Sequence, residues 1–305
     1  MEKHRKKLIK NAAVFDGHSS GLVQGKKIVI EDDIVTEITA DEVSEENFDE
    51  VFDGTGMVAM PGMTDAHVHM GCLFAKGEFP VDYATVLTVA KCKDALMAGF
   101  TTFRDAGSVS EGLKLAFDEG VLPGPRIYPC GAYISQTCGH GDSEYAHTYR
   151  DIQYRHPSST VLADGVPEII RAVREQFYRG ASHIKLMATE ILNRHEDIRL
   201  LFGTDMMITG PDYQMEQSED IRYYEKRFGT MRALRALTGT ANEVFALTTY
   251  QNPYPKGKIG VLEAGAFADL LLVNGDPTKR VSVLADTDHL RLIMKGGTVY
   301  KNTLC

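Results

Sequence analysis

The sequence has no long apolar run, no cysteine pair at metal-thiolate spacing and no excess of basic charge. Each absence narrows what the chain does. No stretch approaches the roughly 18 apolar residues of a membrane span, so no membrane role is expected. The start is basic, Lys3-His4-Arg5-Lys6-Lys7, but Leu8 and Ile9 are followed at once by Lys10 and Asn11. A secretory leader needs an apolar core at that point. None is expected, and the short basic run reads as a solvated strand leader. The five cysteines are scattered and form no Cys-x-x-Cys. An odd, dispersed set fits free thiols in a reducing cytoplasm better than a disulfide frame. The formal charge of −9 argues against a nucleic-acid binder, which carries a basic face. Gly139-His140-Gly141-Asp142 is glycine-flanked, but no Lys-Ser/Thr follows it, so it does not read as a phosphate-cradling loop.

What is present is an ordinary globular composition, 43% apolar and 25% charged over 305 residues, enough for one large domain or two smaller ones. Both ends are β-rich. Residues 8–9, 14–15, 27–31 and 34–39 read as short strands broken by Gly17, Gly21, Gly25 and Asp32-Asp33. Residues 41–50 read as a solvated acidic loop. Toward the C-terminus, 269–273 reads as a buried strand, and 290–294 with 298–300 as a hairpin about Gly296-Gly297. The middle alternates helix and strand, the pattern of a parallel sheet. Helices are expected over 82–98 with Gly99 as the stop, over 111–119, over 166–179 with Pro167 in the first turn, and over 231–247. Strands are expected over 101–105, 126–130, 183–187 and 199–205.

The informative stretch is Met60-Pro-Gly-Met-Thr-Asp-Ala-His-Val-His69. In a strand, side chains alternate faces, so His67 and His69 point the same way and can share one metal ion. Asp65 lies on that face and could orient a ligand. The competing reading is two strand-end histidines satisfied by backbone groups. Lys185 sits mid-strand between Ile184 and Leu186, where a snorkelling lysine is the plain alternative. Asp205 closes Phe202-Gly203-Thr204-Asp205, where a helix N-cap is the plain alternative. His140 is equally well read as a solvent-facing loop histidine, and Arg104-Asp105 as an ion pair supporting the site.

The run from Phe52-Asp53-Gly54-Thr55-Gly56 through Pro61-Gly62-Met63-Thr64-Asp65-Ala66-His67-Val68-His69 resembles the barrel entry of the amidohydrolase superfamily. Its imidazolonepropionase-like, dipeptidase-like members are the nearest in flavour. Gly265-Ala266-Phe267-Ala268-Asp269-Leu270 and the Ala-Leu-Arg-Ala-Leu-Thr-Gly-Thr-Ala-Asn-Glu run resemble later family segments. The resemblance implies a (β/α)8-type metallo-hydrolase barrel over 60–251 and a small β-sandwich from 1–59 and 252–305. It implies His67, His69, Lys185 and Asp205 as ligands of a divalent metal, zinc by preference, with Lys185 carboxylated by carbon dioxide. Asp205 would also take the proton of the attacking water, and His140 would polarise the scissile carbonyl. The expected activity is cytoplasmic hydrolysis of a carbon–nitrogen bond in a small-molecule or dipeptide-like substrate. The alternatives are a catalytically impaired relative that acts as a binding protein, and a ring deaminase on the same scaffold.

The sequence departs from that pattern in one place. Family barrels carry two further metal-binding histidines, ending strands five and six. The interval from Lys185 to Asp205 cannot hold three more strands with their helices, which need on the order of 100 residues. His195, in the polar run before Asp205, is not assigned as a ligand. The resemblance breaks near 189–192. Loss of these units in the natural protein, a shortened chain and omitted residues are all open as origins. An incomplete barrel leaves sheet edges and apolar faces that need cover, so a homo-oligomer holding at most one tight metal per chain is expected.

Overall fold

The computed structural model describes residues 5–70, 81–107, 111–139, 141–142, 160–186, 199–207 and 213–304. The N-terminal strands β1 (Lys6–Lys10), β2 (Ala13–Val14), β3 (Lys27–Glu31), β4 (Ile34–Thr39), β5 (Glu50–Asp53) and β6 (Val58–Pro61) divide between two sheets. β3 and β4 form a hairpin about Asp32, whose φ of 53° lies in the left-handed region tolerated by Asp at turns. The first sheet has the order β4-β3-β1-β5. The second takes β2 and β6 and adds the C-terminal strands β13 (Leu270–Val273), β14 (Leu290–Lys295) and β15 (Thr298–Asn302) in the order β15-β14-β13-β6-β2. One apolar cluster joins them, with Ile9, Ile28, Ile30 and Phe52 against Leu270, Leu272, Leu292 and Met294. Both chain ends therefore build one β-rich unit.

The chain leaves that unit at Gly62. A Cβ there would overlap the Thr101 side chain, so only glycine lets β6 run on into β7 (Met63–His69). β7 lies inside a parallel sheet with β8 (Phe100–Asp105), β9 (Arg126–Tyr128) and β12 (Met206–Met207), in the order β12-β7-β8-β9. β10 (Tyr133–Ser135) and β11 (Thr160–Leu162) form a separate parallel pair. The helices are α1 (Val81–Met97), α2 (Glu111–Asp118), α3 (Val166–Tyr178), α4 (Tyr213–Phe228), α5 (Thr230–Leu237) and α6 (Gly239–Phe245). α1 ends at Gly99, with φ of 89°, where a Cβ would strike Met63, Leu271 and Leu290. The main core places Cys92, Ala95 and Leu96 of α1 and Leu234 and Leu237 of α5 against Met63, Val68 and Phe103 of the parallel sheet.

Three expectations fail for local reasons. Residues 199–205 are not a regular strand. Ala66 N–H donates to the Phe202 carbonyl and Asp205 N–H to the His67 carbonyl, but Asp205 itself has φ of 56°, which a strand cannot contain. Among the described residues of the expected strand 183–187, only Leu186 bridges, in parallel, to Ile134. The helix expected over 231–247 breaks at Thr238 (φ −134°, ψ −100°). There Gly239 passes so close to Gly17 that a Cβ would overlap the Gly17 carbonyl.

Candidate metal centre

The site stands at the carboxyl end of β7. Alternation along that strand puts Val68 into the main core and His67 and His69 on the other face, their ring centroids 5.5 Å apart. The left-handed turn at Asp205 brings its carboxylate to both rings. Oδ1 lies 2.9 Å from His67 Nε2 and 3.1 Å from His69 Nε2. The three donor atoms all fall within 4.8 Å of one another. Lys185 comes in from beside β10, and its Nζ donates to His67 Nε2 at 2.8 Å. The structure thus brings together His67, His69, Lys185 and Asp205. His140 lies outside the described residues, as does the interval 189–192. Arg104 and Asp105 make no direct ion pair, though the Asp105 charge acts on the guanidinium. The Arg104 guanidinium donates to the Ala66 carbonyl at 3.2 Å, while Asp105 accepts from the backbone N–H groups of Met70 and Gly107.

Asp65 explains how Asp205 is held. It is fully buried and accepts from His67 N–H at 3.2 Å, from Thr204 Oγ1–H at 2.9 Å and N–H at 3.3 Å, and from Gln217 Nε2 at 3.2 Å. One carboxylate therefore ties β7, the turn that carries Asp205, and α4. Burial raises its pKa to about 6 in spite of these donors. Nothing in the sequence pointed to Thr204 or Gln217. The usable signal was Asp65 itself, the one acid of the strand Met63–His69, two residues before His67. Gly203 has a comparable role, since a Cβ there would lie 2.7 Å from His67 Cβ.

The donor set fits a divalent cation. Burial, and then the Lys185 charge, lower His67 to about 4, so its imidazole is neutral at pH 7, the form that ligates metals. Burial likewise lowers Lys185. An imidazole lone pair and a carboxylate oxygen 2.9 Å apart repel unless a positive charge lies between or beside them. In this structure the Lys185 ammonium supplies that charge. In a tetrahedral site with bonds of about 2.1 Å, neighbouring ligand atoms stand about 3.4 Å apart. The two histidine–Asp205 spacings need to open by only about 0.3–0.5 Å to reach it.

Residues 58–197 match the profile of the Amidohydrolase family. The chain carries an amidohydrolase-family segment. Over 152 residues, 43% of the chain, it is 34% identical to an ochratoxinase of Aspergillus niger, of which the match covers 31%. Over 176 residues, 53% of the chain, it is 39% identical to the imidazolonepropionase of Picrophilus torridus, covering 43% of that protein. The chain thus spans less than half the length of these curated relatives. The crystal structure of a prolidase complexed with N-methylphosphonate-L-proline superposes with a TM-score of 0.83 at 22% identity, over 97% of this chain and 100% of that one. That likeness shows that the two chains share a fold. The amidohydrolase segment includes β7, β8, β9 and Lys185, whereas Asp205 lies beyond it.

Proposed function

We propose that the chain is a metal-dependent amidohydrolase that hydrolyses an amide, peptide-like or cyclic amide carbon–nitrogen bond with metal-activated water. The observation that carries this reading is the convergence of His67, His69 and Asp205 within 4.8 Å at the end of a parallel strand, where barrel enzymes keep their active sites. The names of the relatives, an ochratoxinase, an imidazolonepropionase and a prolidase, support hydrolysis of small or dipeptide-like molecules.

His67 and His69 would hold the ion through Nε2 and Asp205 through a carboxylate oxygen, with zinc the usual choice for such donors. When bound, the ion supplies Lewis acidity and makes hydroxide available near neutral pH. Asp205 is 70% exposed, so its carboxylate reaches incoming water, takes its proton and returns it to the leaving nitrogen. Lys185, through its neutral amine, would add carbon dioxide and lose a proton, giving a carbamate that would contribute oxygen donors to the site. Its burial favours that neutral amine. His140 would polarise the scissile carbonyl.

In this reading residues 1–59 and 252–305 are the structural β-sandwich and 60–251 the catalytic barrel, incomplete for want of strands five to seven. The direct pairing of β12 with β7 supports it, because it sets the last strand beside the first as in a closed ring. The chain then holds at most one tight metal and covers its open edge by self-association in the cytoplasm. The test is hydrolysis of N-acyl amino acids and dipeptides by zinc-loaded protein. Activity should rise with bicarbonate and vanish in Lys185→Ala. A zinc-loaded chain that cleaves none of these substrates would refute the hydrolase assignment.

A further inference from the structure

A cavity opens on the chain, and its lining includes none of His67, His69, Lys185 and Asp205. Its volume is about 370 Å³, within the range of small-molecule sites. Its walls are Tyr128, Phe177, Phe245 and Tyr250, with Arg104 among its polar groups. Tyr128 and Phe245 stack at 3.8 Å between ring centroids, which makes one wall rigid. Thr249, also lining it, is held at φ 48° and ψ −120°, a conformation that side-chain-bearing residues avoid.

Arg104 is the unusual member. It is largely withdrawn from solvent, yet among the described residues no carboxylate lies within ion-pair distance of it. Its recorded hydrogen bond is to the Ala66 carbonyl at 3.2 Å. The adjacent acid, Asp105, belongs to the opposite face of β8 by alternation and is engaged by the Met70 and Gly107 N–H groups. A guanidinium has more donors than one carbonyl can use, and its planar fork matches a carboxylate. A half-buried cation whose nearest acid, Asp105, acts on it only through its charge and not through a direct ion pair, standing beside an aromatic-walled cavity, calls for an anion with an apolar body.

We propose that this cavity binds a small organic carboxylate with an aromatic or bulky apolar body, the carboxylate on Arg104 and the body between the stacked Tyr128–Phe245 wall and Phe177. The site stands apart from the hydrolase reading, because none of His67, His69, Lys185 and Asp205 lines it, although the Arg104 charge reaches His67 and Lys185.

The test uses benzoate as the probe and benzamide as its uncharged counterpart, followed by calorimetry and thermal shift on the full chain. Benzoate should saturate with a dissociation constant on the order of 1 mM, typical for so few atoms, and benzamide should bind far more weakly. Arg104→Met should weaken benzoate about ten- to a hundred-fold, the range for a charge-assisted hydrogen-bonded contact. Leu247 lines the cavity and is 64% exposed, so Leu247→Trp occludes the cavity at little cost to folding. It too should weaken benzoate, which keeps the test valid if Arg104→Met does not fold. His67→Ala should leave benzoate binding unchanged. Loss of binding in His67→Ala with retention in Arg104→Met would place the anion at the metal centre and overturn the proposal. Equal binding of benzamide, or no saturation by benzoate at concentrations well above about 1 mM, would overturn it as well.

Discussion

Replacing Gly203 by alanine probes the site through a single atom. The new Cβ would stand 2.7 Å from His67 Cβ, 3.1 Å from its backbone N and 3.4 Å from its Cα, where ordinary contacts begin at 3.4 Å. Neither partner is the far end of a flexible side chain, so no rotamer change relieves the overlap. β7 and the turn carrying Asp205 must separate by roughly 0.7 Å, an overpacking that costs about 1–3 kcal/mol. The same displacement would open the 2.9 Å between His67 Nε2 and Asp205 to roughly 3.6 Å, close to the about 3.4 Å of a tetrahedral site, so zinc affinity should change by less than about ten-fold and the effect should fall on stability. Urea unfolding should show a lower midpoint with an unchanged slope. Gly112, in α2 with nothing within 4 Å of its would-be Cβ, is the control. Gly112→Ala should be neutral or should stabilise by up to about 1 kcal/mol. A Gly203→Ala chain with a wild-type midpoint would refute the reasoning.

Three further outcomes follow from the same structure. Arg126 and Asp269 form a buried ion pair, with Nε at 2.7 Å and Nη2 at 3.2 Å from the carboxylate oxygens, and link the parallel sheet to the C-terminal strands. Asp269→Ala strands the guanidinium and should cost about 3–5 kcal/mol in urea unfolding; a loss below 1 kcal/mol would contradict this. Burial, and then the Arg126 charge, lower Lys295 to about 8 from 10.5. The unfolded chain therefore binds more protons between pH 8 and pH 10.5, and this residue's contribution to stability rises with pH across that window. Relative to Lys295→Met, the wild type should gain up to about 3 kcal/mol from pH 8 to pH 10.5; parallel pH profiles would exclude it. Sedimentation should show a dimer or larger assembly at micromolar concentration, and a monomer throughout would count against an uncovered barrel edge.

Much of the scaffold is legible in the sequence because local pattern and tertiary environment agree. β3 and β4 begin and end where the alternation and the Asp32-Asp33 turn place them, and α1 stops at Gly99 as a left-handed C-cap demands. His67 and His69 share a face because strand alternation requires it. The irregular parts are legible only in three dimensions. α4 is rich in charge, and among its described side chains only Gln217 and Ile221 are buried, so no apolar period announces it. The turn at Asp205 depends on the approach of Gly203 to His67 and on the Asp65 carboxylate, contacts between residues more than 130 positions apart. The break at Thr238 likewise depends on Gly17, which is remote in sequence.

The central claim is that His67, His69 and Asp205 form one divalent metal site. Its most direct measurement is zinc stoichiometry and affinity, by elemental analysis and competitive titration, in the wild type, His67→Ala and Asp205→Ala. The account predicts one tightly held zinc per wild-type chain and an affinity lower by about 100-fold or more in each variant, as expected when one of a few ligands is removed. Wild-type zinc content in both variants, or two tightly bound ions per wild-type chain, would contradict it.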